Sequence, residues 1–323
     1  MLETLLLPIP ETTMFQYYLD KLYVHGRALL TIGKSVNETK MMIGKLLIDR
    51  MREGGMLPDV KKAEFKVFSQ FGEDGIIQYL VHQSGIRDDE KTLVEFGSDF
   101  YGEANTRFLV LNDNWRALLI DGKPSAIRTI RRQPFFWSHD ITAVASFITA
   151  ENINDIIGGS GFIGQIGLLS IDIDGNDFWV WDRISVVHPV IVVAEYNSVW
   201  GAERAVTIPY DPKFYRMKAH YSGQYFGCSL KALEILAERK GYALVGCNSN
   251  ANNCFFVRKD RLNGQPALTS KQAYVRARFR DMRNPAGEFT YVSGHAEALK
   301  AMADLPLVDV ETDKTIQVRD LSA

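Results

Sequence analysis

Thr92-Leu93-Val94-Glu95-Phe96-Gly97-Ser98-Asp99-Phe100-Tyr101-Gly102 decides the fold of this chain. Thr92 to Phe96 is a short apolar run that predicts a buried strand, and the next residues form an acidic turn with two glycines. Working outward, such runs alternate with helical segments. Arg116 to Ile120 predicts a second strand ending in Asp121, and Pro124 to Arg132 a helix with proline near its start, where the missing N–H costs nothing. Phe135 to Trp137 is read as a third strand ending near Asp140. Gly167 to Ile173 and Pro189 to Ala194 follow as strands four and five. Thr106 to Asn112, Asn152 to Ile157 and Phe178 to Ile184 are the helices between them. Leu230 to Lys240 is amphipathic and stopped by Gly241. Tyr242 to Cys247 and Cys254 to Val257 are too close for a parallel crossover, so the final strand should be antiparallel. Continuous apolar strands alternating with helices imply an α/β fold with a parallel sheet covered on both faces.

The flanks read differently. Residues 1–62 predict a helical extension, with Phe15 to Leu30 and Val36 to Met51 carrying apolar residues at mixed three- and four-residue spacing. Residues 63–262 carry the α/β pattern. Residues 263–323 form a tail with a basic helix candidate and a helix at Ala296 to Met302. The basic groups Arg128, Arg131, Arg132 and Arg276, Arg278, Arg280, Arg283 read as solvated helix faces.

Composition narrows the function classes. The 323 residues are 46% hydrophobic and 24% charged, with a formal net charge of −2, so no global field draws nucleic acid or an anionic membrane. No apolar stretch is long enough to span a bilayer. Met1 to Pro8 lacks a basic leader, and the expected location is cytoplasmic. Cys228, Cys247 and Cys254 match no zinc or redox spacing and are expected to be small buried hydrophobes.

Ligands of open parallel sheets bind at the carboxyl ends of the strands. On this reading those ends carry Gly97, Asp121, Asp140, Asp172 with Asp174, and Glu195 with Asn197. A glycine there lets a backbone approach a ligand. An acid after strand two can accept from a ribose diol. A G-x-G-x-x-G fingerprint and a phosphate-binding loop are both absent, and Glu95, Asp99 and Glu103 would repel a pyrophosphate. They suit a cationic nucleoside such as S-adenosylmethionine.

These residues resemble the class I S-adenosylmethionine-dependent methyltransferases, and among them the FkbM-like group. The resemblance rests on Glu95-Phe-Gly97-x4-Gly102, Asp121, Asp140, the run Ser170-Ile-Asp172-Ile-Asp174-Gly-Asn-Asp177, and the upstream Phe68-Ser-Gln70-Phe-Gly-Glu-Asp74-Gly75. It spans about residues 65–260. It implies a Rossmann-like seven-stranded methyltransferase sheet with an antiparallel last strand. It also implies a cofactor site with Gln70, Glu95, Gly97, Ser98, Gly102, Asn105, Asp121, Asp140 and Asp172. Asp121 would take the ribose and Asp140 the adenine edge.

Asp172, Asp174, Glu195 and Asn197 form an oxygen-only set suited to Mg²⁺, as in metal-dependent O-methyltransferases. Asp174 and His220 are the general-base candidates. The aromatic stretch between Ser198 and Cys228 is a candidate lid or substrate wall. The expected activity is O-methylation of a sugar, glycan precursor or related small molecule. A catalytically inactive module of the same fold, binding a glycan or a protein, is the alternative. Homo-oligomers through the N-terminal helices are the expected assembly.

Overall fold

The computed structural model describes residues 11–292 and 294–322; the reading of Met1 to Pro8 lies outside them. Seven strands form the main sheet: β1 (Thr92–Phe96), β2 (Arg116–Asp121), β3 (Ile141–Ala145), β4 (Gly164–Ile171), β5 (Val187–Glu195), β7 (Tyr242–Cys247) and β8 (Asn253–Arg258). Their order is β3-β2-β1-β4-β5-β8-β7. The first five run parallel, and β8 is antiparallel to both β5 and β7. This is a Rossmann-like seven-stranded sheet with an antiparallel last strand, the arrangement that the resemblance implies. The order reverses between β1 and β4, and that switch point opens the crevice in which such sheets bind ligands.

Sequence and burial agree on why these strands form. Val190 to Val193 is a β-branched run buried on both faces of the sheet. Gly167 lies beneath the Trp115 ring, where a Cβ would come within 2.5 Å of ring carbon. One core packs Trp181, Leu233, Leu236 and Phe256 against one face. The other packs Ile76, Leu80, Leu109 and Ile130 against the opposite face. The covering helices are α2 (Glu73–Gln83), α3 (Arg107–Asp113), α4 (Pro124–Arg131), α5 (Ile153–Gly159), α6 (Asp177–Arg183) and α8 (Leu230–Lys240). Ser229 Oγ caps α8 by accepting from Ala232 N at 3.1 Å, and Gly241 ends it with φ +87°. All three cysteines are buried free thiols.

Three expectations need correction, and one helix was not anticipated. The extension is one helix, α1 (Glu11–Glu53), rather than two. Helix α2 carries no start signal that the sequence reading used; its N-cap is Gly72 with φ +112°. Phe135 lies in a 3-10 turn that begins at Pro134, and the third strand is Ile141–Ala145. Finally, the basic stretch Arg276 to Arg283 is not helical. It leads to α10 (His295–Ala301) and a small second sheet, in which β9 (Pro306–Asp309) pairs with β10 (Lys314–Gln317) and with β6 (Val206–Thr207) from the long loop after β5. Short helices α7 (Arg216–Ala219) and α9 (Ser270–Ala273) complete the set. Among the described residues no helix is long and apolar enough to cross a membrane.

Candidate active site

A cavity of about 1100 Å³ opens at the carboxyl edge of the main sheet. It is as large as the biggest small-molecule sites, so it has room for two reactants. Its wall includes Gln70, Gly97, Asp121, Asp172, Asp174, Glu195 and Asn197, drawn from five separate segments of the chain.

Gly97 ends β1 with φ +68°, and a Cβ there would fall 1.8 Å from the Asp172 carbonyl oxygen. The two strand ends meet only because position 97 has no side chain. Asp121 ends β2 and is nearly buried. Its Oδ2 accepts from Asp99 N at 2.8 Å and its Oδ1 from Lys123 N at 2.7 Å. Lys123 Nζ in turn pairs with Asp99 at 3.2 Å, joining the loops after β1 and β2. Each Asp121 oxygen keeps a further lone pair for a ligand hydroxyl.

Asp172, Asp174 and Glu195 bring carboxylate oxygens within 4.8 Å of one another. Asp174 sits at φ +56° at the tip of the turn after β4. Buried Asp177 holds that turn by accepting from Ile173 N and Gly175 N, both at 2.9 Å. Burial raises the pKa values of Asp172 and Glu195 well above the carboxylate range, and the neighbouring acids add to the rise. Glu195 Oε2 and Asn176 Oδ1 are buried without a hydrogen-bond partner, and both residues line the cavity. An orphaned acceptor on Glu195, one of three clustered carboxylates, fits a hard cation.

Arg216, on α7, is the partner the sequence reading missed. Its guanidinium lies 2.7 Å from Asp174 and 3.6 Å from Asp281, and 3.7 Å from the Phe226 ring centroid, while its Nε donates to Gly223 O. No local pattern marks it, because its acidic partners lie far along the chain.

Other predicted residues fall elsewhere. Asp140 precedes β3 and is exposed at the opposite edge of the sheet, 3.7 Å from Arg116. It cannot reach an adenine in this cavity; the β3 end carries Phe147 and Ile148 instead. Glu95 points under the turn, accepting from Asn105 N at 2.9 Å and Thr106 Oγ1 at 2.5 Å. Asn105 donates to Ser170 Oγ at 3.2 Å, Ser98 is buried, and exposed Gly102 accepts from Arg107. These four residues build the turn and are not on the cavity wall. The Asn197 amide braces the loop after β5: its Oδ1 accepts from Val199 N, and its Nδ2 donates to Gln224 O and Phe226 O. His220 is off the wall, 2.8 Å from Ser222 Oγ. The histidine on the wall is His295, 3.3 Å from Ser198 Oγ.

Of the aromatic stretch, Phe214, Tyr215 and Phe226 face the cavity, whereas Trp200 and Tyr225 pack in the satellite core over α10. The opposite wall comes from Ala277 to Val292. There Phe279 packs on Phe71 at 5.5 Å, Arg280 donates to Tyr291 O, and Arg283 lies 4.0 Å over the Phe289 ring. Neither arginine has a carboxylate partner among the described residues. The Phe68 to Gly75 run positions Gln70 and Phe71. Asp74 Oδ2 accepts three backbone N–H groups at 2.7 Å, and Glu73 Oε1 accepts from Asn248 and Asn253.

Burial raises Glu95 to about 7 and Asp177 to about 6. The folded state therefore binds these protons before the unfolded chain, whose Glu95 titrates near 4.5. Stability should fall as pH rises from 4.5 to about 7, by up to about 1.4 kcal/mol per pH unit per group. Urea unfolding in EDTA at pH 5 and pH 8 should show that Glu95→Gln flattens this slope. A variant with the wild-type slope would remove Glu95 as its source.

No family model matches the sequence, and no curated protein matches it. Solved structures resemble the chain over part of its length. The N-terminal domain of EvdMO1 with SAH bound is 12% identical over 66% of this chain and 94% of that one, at a TM-score of 0.37. An S-adenosylmethionine-dependent methyltransferase from Clostridium acetobutylicum is 8% identical over 55% and 87%, also at a TM-score of 0.37. The class of the fold rests on the strand order and its antiparallel edge.

Proposed function

We propose that this chain is an S-adenosylmethionine-dependent O-methyltransferase acting on a hydroxyl of a sugar, glycan precursor or related small molecule. The reading is carried by one observation: Gly97, Asp121 and the Asp172–Asp174–Glu195 cluster share a single cavity at the sheet's switch point. The cofactor supplies an electrophilic methyl group on a sulfonium. Asp121 would hold its ribose hydroxyls, Gly97 would let the β1 turn lie against it, and Phe147 and Ile148 would wall its base. Acids on this wall favour a cationic ligand over a pyrophosphate.

Asp172 and Glu195 would hold a divalent ion, with the Asn176 carbonyl as the amide ligand in place of Asn197. Such an ion supplies Lewis acidity that lowers a hydroxyl pKa and fixes vicinal oxygens. Arg216 holds Asp174 at the rim, where its carboxylate can accept the acceptor's hydroxyl proton. Phe71, Phe214, Tyr215 and Phe279 offer flat faces to a sugar, and Arg280 and Arg283 favour an acceptor that carries an anionic group.

Calorimetric titration with S-adenosylhomocysteine tests the reading: one molecule should bind per chain, and absence of binding would sink the enzyme. Titration with Mn²⁺ tests the ion separately. Glu195→Gln should weaken it about tenfold or more, since affinity follows ligand charge. Equal Mn²⁺ affinity in the variant would remove Glu195 from the site.

A further inference from the structure

Helix α1 spans 43 residues, about 65 Å. Its last third docks on the body through one face: Gly44 and Ile48 are buried, and Met41 and Met51 partly so. Gly44 is required there, because a Cβ would meet the Phe108 ring at 2.7 Å. From Met14 to Val36 every residue whose side chain is described is exposed. Among the described residues this part of the helix stands off the body, with large apolar side chains exposed.

The sequence of α1 carries a pattern. Positions 15, 18, 22, 25, 29, 32, 36, 39, 43 and 46 alternate spacings of three and four without a break, and eight of the ten are apolar. This is the a/d repeat of a left-handed coiled coil. The seam lies opposite the docking face, so Val36, Ile43 and Leu46 stay exposed at 50%, 51% and 69% beside the buried Gly44 and Ile48.

We propose that a second copy of this chain covers the seam, as a parallel coiled coil in register. The two polar seam residues, His25 and Thr39, fix the register. In a parallel pair each meets its own copy. In an antiparallel pair centred on the seam both would face apolar residues, at a cost in stability. With the seam opposite the docking face, the two bodies point away from each other. The ten seam positions run over about 47 Å of helix, from Phe15 to Leu46. Away from the seam, Asp20, Arg27 and Lys34 give mixed charge, in contrast to the basic face of a membrane-surface helix.

Sedimentation equilibrium of the full chain should give twice the mass of one chain. The pair Ile32→Glu with Val36→Glu should raise the dimer dissociation constant at least about a hundredfold. The thermal unfolding of the body should not change, because both positions are exposed. Arg27→Glu, on the far side of the rod, should remain dimeric. Under oxidation Val36→Cys should cross-link two copies, which only the parallel register allows. A monomeric wild type, a seam variant that stays dimeric, or an uncross-linked Val36→Cys would each overturn the proposal. So would a monomer that co-sediments with anionic phospholipid vesicles, which would assign the face to a membrane. The inference does not depend on methyl transfer and fails separately from it.

Discussion

Replacing Asp121 by alanine is expected to lower the affinity for S-adenosylhomocysteine at least about a hundredfold. Two hydrogen bonds from a ribose diol to a carboxylate are worth roughly 1.5–3 kcal/mol each, and about 2.7 kcal/mol is a factor of one hundred. The carboxylate also accepts Asp99 N and Lys123 N, so the loops after β1 and β2 lose their common anchor. Asp121→Asn is the milder change. It keeps one acceptor oxygen, but its NH2 faces the other backbone N–H, so one loop hydrogen bond is lost; it should bind at least about tenfold more weakly and lose about 1–3 kcal/mol of stability. Wild-type affinity in both variants, measured by calorimetry, would refute the ribose assignment.

The second large effect belongs to Gly97→Ala. The new Cβ would fall 1.8 Å from the Asp172 carbonyl oxygen, and φ is +68°. Positive φ alone costs about 1 kcal/mol or more for an L side chain, and backbone cannot yield as a flexible side-chain tip can. The strand ends of β1 and β4 must separate, at about 3 kcal/mol or more in total. That separation displaces Asp172 relative to Glu195 on the neighbouring strand. The variant should therefore lose stability, Mn²⁺ binding and cofactor binding together. Retention of all three would show that the contact between these strand ends does not set the site.

How much of this was legible depends on which forces act locally. Strands β1, β2, β4, β5, β7 and β8 could be read because both faces are buried, which leaves unbroken apolar runs. The third strand could not. Phe135-Phe136-Trp137 outweighs Ile141 to Ala145 in aromatic content, yet Pro134 starts a 3-10 turn there. That shift carries Asp140 to the wrong edge. Gly97, Asp121, Asp172, Asp174 and Glu195 were legible because a strand end fixes where its residues go. Asn197 was placed by the same logic, but its amide satisfies carbonyls of the loop after β5. Asn176, Arg216, His295 and the Ala277 to Val292 wall reach the cavity through tertiary packing alone, without a periodicity to mark them. The α1 seam was present as mixed three- and four-residue spacing. Only the docking face of the folded helix shows which side is left for a partner.

A crystal structure of the chain grown with S-adenosylhomocysteine and Mg²⁺ tests the central claim most directly. The account predicts the nucleoside at the carboxyl ends of β1 and β2, with both ribose hydroxyls on Asp121 and the base against Phe147 and Ile148. It predicts the ion on Asp172 and Glu195. A cavity that stays empty at saturating ligand, or a nucleoside bound away from Gly97 and Asp121, would contradict it.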